Sequence, residues 1–221
     1  MGLAMLLHYN PPRTPYLRIL YQDDDLLVLD KPSGLLSVPG KDPKHADCVI
    51  RRANLVFPSA KIVHRLDMAT SGVICLALNK AAHRHLSMQF QERQTAKRYL
   101  ARVEGHLKEQ SGSVDLPLIC DWPNRPKQMV DHDRGKPSLT HYQVLDYEQD
   151  ATRVELTPIT GRSHQLRVHM LSLGHVILGD RLYAHERAKA RADRLQLHAT
   201  WLQLRHPSNE EMMEFTASCP F

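Results

Sequence analysis

One stretch, Val63-His64-Arg65-Leu66-Asp67-Met68-Ala69-Thr70-Ser71-Gly72, places a carboxylate two residues after an arginine, between two apolar runs. A lone Asp and Arg on a loop held between strands is a common seat of catalysis. Taken by themselves, however, Arg65 and Asp67 read first as a structural ion pair. Trp122, with Arg125 and Lys127 nearby, could stack a nucleic-acid base while a cation meets phosphate; a tryptophan packed beside a proline turn is the plainer reading. Lys31 leaves an apolar run into the loop Lys31-Pro32-Ser33-Gly34, where it could meet phosphate, brace a site or stand in solvent. Tyr99 follows the cations Lys97 and Arg98 and reads as a core-edge residue with a wet hydroxyl. Arg162 and Arg167 fall at or near the start of an expected helix, where a cation opposes the macrodipole and wants another anion. His64, His164, His169 and His198 have neither paired spacing nor supporting carboxylates, so no metal site is expected from them.

These residues need elements to position them. Residues 17–21 and 26–30 read as a hairpin across an acidic turn. Asp47 is a candidate N-cap for a short helix over 47–54. Residues 60–63 and 73–78 are the apolar runs beside Asp67, with Thr70, Ser71 and Gly72 supplying turn chemistry between them. Ala82, Leu86 and Phe90 recur at helical spacing, which predicts a surface helix over 80–92 with His83 and His85 on its exposed side. Residues 96–103 alternate, with Tyr99, Ala101 and Val103 on one strand face. Residues 114–120 form a strand broken at Pro117, and 121–128 a loop. An antiparallel pair over 139–146 and 152–156 precedes a helix carrying Leu166, Met170 and Leu173, with Gly174 at its C′ position. A second helix is expected over 186–194, then strands over 195–204 and 212–215.

At 221 residues the chain can bury a proper core, as one domain or a tightly joined pair. Lys plus Arg number 29 against 24 acids, a mild excess that suits a polyanion such as RNA without requiring one. Four scattered cysteines outline no disulfide framework, which fits a reducing compartment. The apolar patch at 3–7 is too short for a secretory signal, and no run approaches the roughly 20 apolar residues of a membrane span. A cytoplasmic location is expected.

Together, His64-Arg65-Leu66-Asp67 with Thr70-Ser71-Gly72, then Lys97-Arg98-Tyr99, then Gly161-Arg162-Ser163-His164-Gln165-Leu166-Arg167, resemble the RluA family of RNA pseudouridine synthases. Lys31-Pro32-Ser33-Gly34 and Leu197-His198-Ala199 match that family's flanking motifs. The resemblance runs from about Leu17 to the C-terminus, and no matched catalytic position departs from the pattern. The 121–128 segment and the short length point to the small members without an extra RNA-binding domain.

Pro11, Pro12 and Pro15 mark a proline-rich arm over 1–16 that cannot be regular helix or a central strand, and the resemblance implies one catalytic domain over 17–221. Its fold would be α/β (α+β): a mixed, mostly antiparallel sheet flanked by helices and loops, with a central cleft. The implied reaction isomerises uridine to pseudouridine in structured RNA, 23S rRNA and tRNA stem-loops, with no metal or cofactor. In that reading Asp67 is the carboxylate that attacks the flipped uridine at C6 or C1′, and Arg167 is the neighbouring cation that keeps it ionised. Tyr99 stacks on the uracil and helps remove the C5 proton, and Arg65 enters the vacancy left in the RNA stack. Leu166 packs on the base from the other side, while Lys31, Arg162, Trp122 and Arg125 contact substrate. A monomer is expected, with RNA as partner and no membrane. Two rivals stand beside it. A non-catalytic RNA-binding module would have no use for Asp67, and a glycosidic hydrolase would need a second carboxylate that no matched motif offers.

Overall fold

The computed structural model describes residues 9–221, so the apolar patch at 3–7 lies outside the described residues. The chain divides into two compact units, one of Tyr9–Lys97 with His198–Pro220, the other of Arg98–Leu197 with Phe221.

The first unit opens with the expected hairpin of β1 (Ile19–Gln22) and β2 (Leu26–Lys31). Its acidic turn closes on itself, because Asp23 accepts the backbone N–H groups of Asp25 and Leu26 at 2.8 and 2.7 Å. Cys48 holds the N-cap position of helix α1 (Val49–Asn54) without a side-chain capping bond, and Asp47 is not the N-cap. Its carboxylate instead takes the Arg52 guanidinium at 2.8 and 2.7 Å. Arg52 is fully buried, and a buried cation without an anion costs more than an uncapped helix end.

Strands β3 (Lys61–Ile62) and β4 (Ser71–Ala77) follow, then helix α2 (Lys80–Gln91). Ser71 and Gly72 begin β4 rather than forming the turn, which closes earlier where the Thr70 N–H meets the Asp67 carbonyl at 3.2 Å. Gly72 has φ +110°, and a Cβ there would overlap the Ala199 carbonyl. Asn79 caps α2 by accepting the Ala82 N–H at 2.9 Å, and Ala82 and Leu86 turn inward. His83 and His85 are only half-exposed: His83 lies 3.2 Å from the Ile62 carbonyl and His85 2.6 Å from Glu210.

Strand β5 (Ala96–Glu104) enters the second unit at Arg98 and buries Ala101 and Val103 on the predicted face. The others are β6 (Ser111–Asp115), β7 (Leu118–Cys120), β8 (Gln128–Val130), β9 (Leu139–Glu148) and β10 (Ala151–Pro158). They order as β5-β10-β9-β6, all antiparallel, with β7 and β8 a separate ribbon. Pro117 falls between β6 and β7, as its missing N–H requires. Helix α3 (Gln165–Ser172) ends with Gly174 at φ +81°, the expected C′ glycine. It is buried over Gln165, Leu166, Arg167, Val168, His169 and Met170, so its surroundings are core on nearly every side.

Helix α4 (Glu186–Ala190) is shorter than expected. The Gln196 carbonyl accepts the Arg102 N–H at 3.1 Å and the Gln196 N–H donates to Leu178 at 2.9 Å, which draws the chain out before 194. Strands β11 (Leu197–Arg205) and β12 (Met212–Thr216) return to the first unit at His198. There the order is β1-β2-β4-β11, with β3 on β4 and β12 on β11. Strands β4 and β11 run parallel, through Ser71 opposite His198 and Gly72 opposite Ala199. The expected mixed, mostly antiparallel sheet is therefore present. Leu26, Val28, Val73, Cys75, Leu86 and Phe215 form its core, and burial pushes the Cys75 thiol up to about 12.

Candidate active site

The Asp67 loop is clamped from both sides by the loop that follows β2. Ser37 Oγ donates to the Leu66 carbonyl at 2.7 Å and accepts the Leu66 N–H at 3.1 Å. The Gly34 N–H donates to the Met68 carbonyl at 2.8 Å, and Ser33 Oγ to the Ala69 carbonyl at 2.7 Å. Lys31 donates to the carbonyls of Met68, Leu35 and Pro32 at 3.1, 2.7 and 3.0 Å. The backbone on each side of Asp67 is thus held by hydrogen bonds, while the Asp67 side chain stays half-exposed. Lys31 is 1% exposed, so of its possible roles it braces the loop; a buried ammonium on carbonyls does not present itself to phosphate.

His64 anchors the front of the same loop. Its Nε2 accepts the Cys75 N–H at 3.0 Å, on a strand whose neighbours are β3 at one end and β11 at the other. The ring stacks on Phe90 at 4.4 Å. Burial, with the Lys97 charge behind it, pushes the imidazole down to about 3, so it remains a neutral acceptor. Behind the loop, Ser71 Oγ lies 2.7 Å from His198 Nδ1. Leu66 is buried and points inward. Arg65 is exposed and makes no ion pair with Asp67, so the structural-pair reading does not hold.

In the second unit Tyr99 stands half-buried on β5, opposite Leu156 of β10. The Arg167 guanidinium is buried in α3 and donates through Nε and Nη2 to the two oxygens of Asp180, 2.7 Å each. It also lies over the Tyr183 ring, 5.0 Å from the centroid. Asp180 answers the demand for an anion that the sequence makes at Arg167, and no motif in the sequence points to it. Its local signal was only an acid after a glycine in what reads as a loop. The α3 N-terminus is held by Gln165, which accepts the Arg162 N–H at 3.0 Å and donates to the Leu139 carbonyl at 3.0 Å. Leu166 is 7% exposed, leaving only an edge for a ligand. Arg162 reaches the Pro137 carbonyl with Nε at 3.3 Å.

Trp122 is 65% exposed, so it is not the packed tryptophan of the plainer reading, and the Arg125 guanidinium covers its ring at 4.3 Å. Asp131 accepts the N–H groups of Asp133 and Arg134 at 3.0 and 2.8 Å. The Arg134 bonds hold its carboxyl below the usual range. The four histidines considered for a metal hold separate groups: Cys75, Tyr183, Thr140 and Ser71. No cluster of three metal-capable side chains occurs among the described residues.

Residues 25–172 match the sequence model of the RNA pseudouridylate synthase family, and that stretch contains Asp67, Tyr99 and Arg167. The chain belongs to this family. It is similar to the dual-specificity RNA pseudouridine synthase RluA of Escherichia coli strain K12, with 59% identity covering 97% of this chain and 98% of the relative. The RluA of Pasteurella multocida strain Pm70 is 54% identical over 98% of this chain and 99% of its own. The solved structure of human RNA pseudouridylate synthase domain containing 1 superposes with a TM-score of 0.79 and 32% identity, covering 96% of this chain and 87% of that one. This synthase is accordingly an isomerase that converts uridine to pseudouridine.

Proposed function

We propose that this synthase modifies uridines in both 23S rRNA and tRNA stem-loops, by flipping the base and attacking it with Asp67. The relatives that carry the dual-specificity name match it over nearly their whole length, which supports two classes of RNA substrate. Uridines in loops suit such an enzyme, because bases already partly unstacked cost least to extrude.

The observation that carries the catalytic assignment is the clamp on the Asp67 loop. Ser33, Gly34, Ser37 and Lys31 bond the backbone of residues 66, 68 and 69, and the residue between them, Asp67, is half-exposed. A carboxylate whose flanking backbone is fixed on both sides is held ready as a preorganised nucleophile. Tyr99 stacks on the uracil and its hydroxyl assists loss of the C5 proton, and Arg167 supplies the cation. Arg65, exposed beside Asp67, fills the RNA stack, and Leu166 offers its edge to the base. Trp122, Arg125 and Arg162 contact RNA, and Lys31 acts by bracing. Residues 17–221 serve as the catalytic part, after the arm at 1–16. The enzyme acts in the cytoplasm, as a monomer and without a cofactor. Among the described residues no helix is long and apolar enough to cross a membrane.

The test is tritium release from RNA labelled at uridine C5. Asp67→Asn is expected to bind the RNA and release none. Turnover near the wild-type rate would overturn the assignment, and RNA binding that improves with no activity to lose would favour a pure binding module. Tyr99→Phe should lose most turnover and keep binding.

A further inference from the structure

Tyr183 joins the Trp122 loop, the start of α3 and Arg167 through one side chain. Its hydroxyl accepts the N–H of Gln128, where the loop ends and β8 begins, at 2.8 Å. The same oxygen lies 2.7 Å from His164 Nδ1. His164 is the N-cap of α3 in a left-handed conformation, φ 54°, which a non-glycine residue holds only when its surroundings secure it. The two rings meet edge to face, 5.6 Å apart at 89°. The face of the Tyr183 ring receives Arg167 at 5.0 Å, and its backbone N–H donates to Asp180 at 3.2 Å. If Tyr183 only filled space against Leu178 and Ala188, a phenylalanine would do, but its hydroxyl contacts two polar atoms from separate elements.

We propose that Tyr183 is a positioning residue with two separable effects. Its hydroxyl sets the exposed Trp122–Arg125 loop for RNA, and its ring supports the Arg167 guanidinium. The inference rests on the reading that this loop meets RNA and that Arg167 serves the chemistry.

The experiment uses the full chain carrying Trp201→Phe, so that Trp122 alone reports by fluorescence anisotropy. Kinetics are read as tritium release from a C5-labelled stem-loop RNA. Tyr183→Phe is expected to lower Trp122 anisotropy in the free enzyme and to raise KM roughly five- to tenfold, the size of a lost hydrogen bond, with kcat kept within about twofold. Tyr183→Leu should add a kcat loss of about tenfold, since the cation loses its ring. Unchanged anisotropy in Tyr183→Phe would overturn the hydroxyl's role. Equal kcat in the Phe and Leu variants would overturn the ring's role. If anisotropy falls while KM stays constant, Trp122→Ala separates two failures. A raised KM there keeps the loop on RNA and sinks the role of Tyr183, whereas an unchanged KM shows that the loop does not meet RNA. The conservative Tyr183→Phe keeps the packing volume, so the test does not depend on a variant that fails to fold.

Discussion

Arg167 and Asp180 form a two-point ion pair in which the guanidinium is 4% and the carboxylate 0% exposed. Asp180 also accepts the Leu182 N–H at 2.8 Å, so one carboxylate fixes both the cation and the turn after Gly179. Breaking a buried pair from one side leaves an uncompensated charge, at a cost of about 3–5 kcal/mol. Asp180→Ala should therefore lower the free energy of unfolding by that amount, read from urea denaturation, and uridine isomerisation should fall with it. A loss below about 1 kcal/mol would mean that solvent reaches Arg167.

His64 links stability to pH. Its folded-state value, pushed down to about 3 from the ordinary 6.5, means that the folded protein resists taking up the proton that the unfolded chain accepts. Its contribution is fully present above pH 6.5 and declines as pH falls through the window from 6.5 towards 3. Protonation would also turn the Nε2 acceptor into a donor facing the Cys75 N–H. In His64→Gln the thermal midpoint should fall less between pH 6.5 and 4.5 than in the wild type. Parallel curves would show that His64 charges freely in the fold.

Asp47 acts lower on the pH scale. Its hydrogen bonds from Arg52 hold the carboxyl below 3.8, which adds stability above the unfolded value, lost as pH falls through the folded one. The difference in melting temperature between wild type and Asp47→Asn should be largest at neutral pH and shrink below about pH 4. A constant difference down to pH 2 would assign the effect to shape rather than charge.

Gly72 of β4 pairs with Ala199 of β11. Gly72→Ala would place a methyl group against the Ala199 carbonyl at a φ of +110°, combining overlap with backbone strain. Each effect costs about 1–3 kcal/mol, so the variant should unfold at clearly lower denaturant. Wild-type stability would show that the strands can separate there without penalty.

Much of this protein is local and therefore legible in its sequence. The hairpin around Asp23, the apolar run of β4, the stripe of α2 and the end of α3 at Gly174 all follow from neighbours a few residues apart. So do the matched motifs around Asp67, Tyr99 and Arg167, because their order along the chain is a sequence property. The sequence also states a need at Arg167, a cation where the helix dipole opposes it, without naming what meets it. Tertiary structure decides that Asp180, 13 residues on, fills the need. It decides too that Asp47 serves Arg52 rather than the helix cap, and that Lys31 turns its charge onto carbonyls 4 and 37 residues away. Such choices depend on which polar groups are buried together. Burial sets the cost of leaving a charge or a carbonyl unmet, and that cost exists only once distant segments have packed.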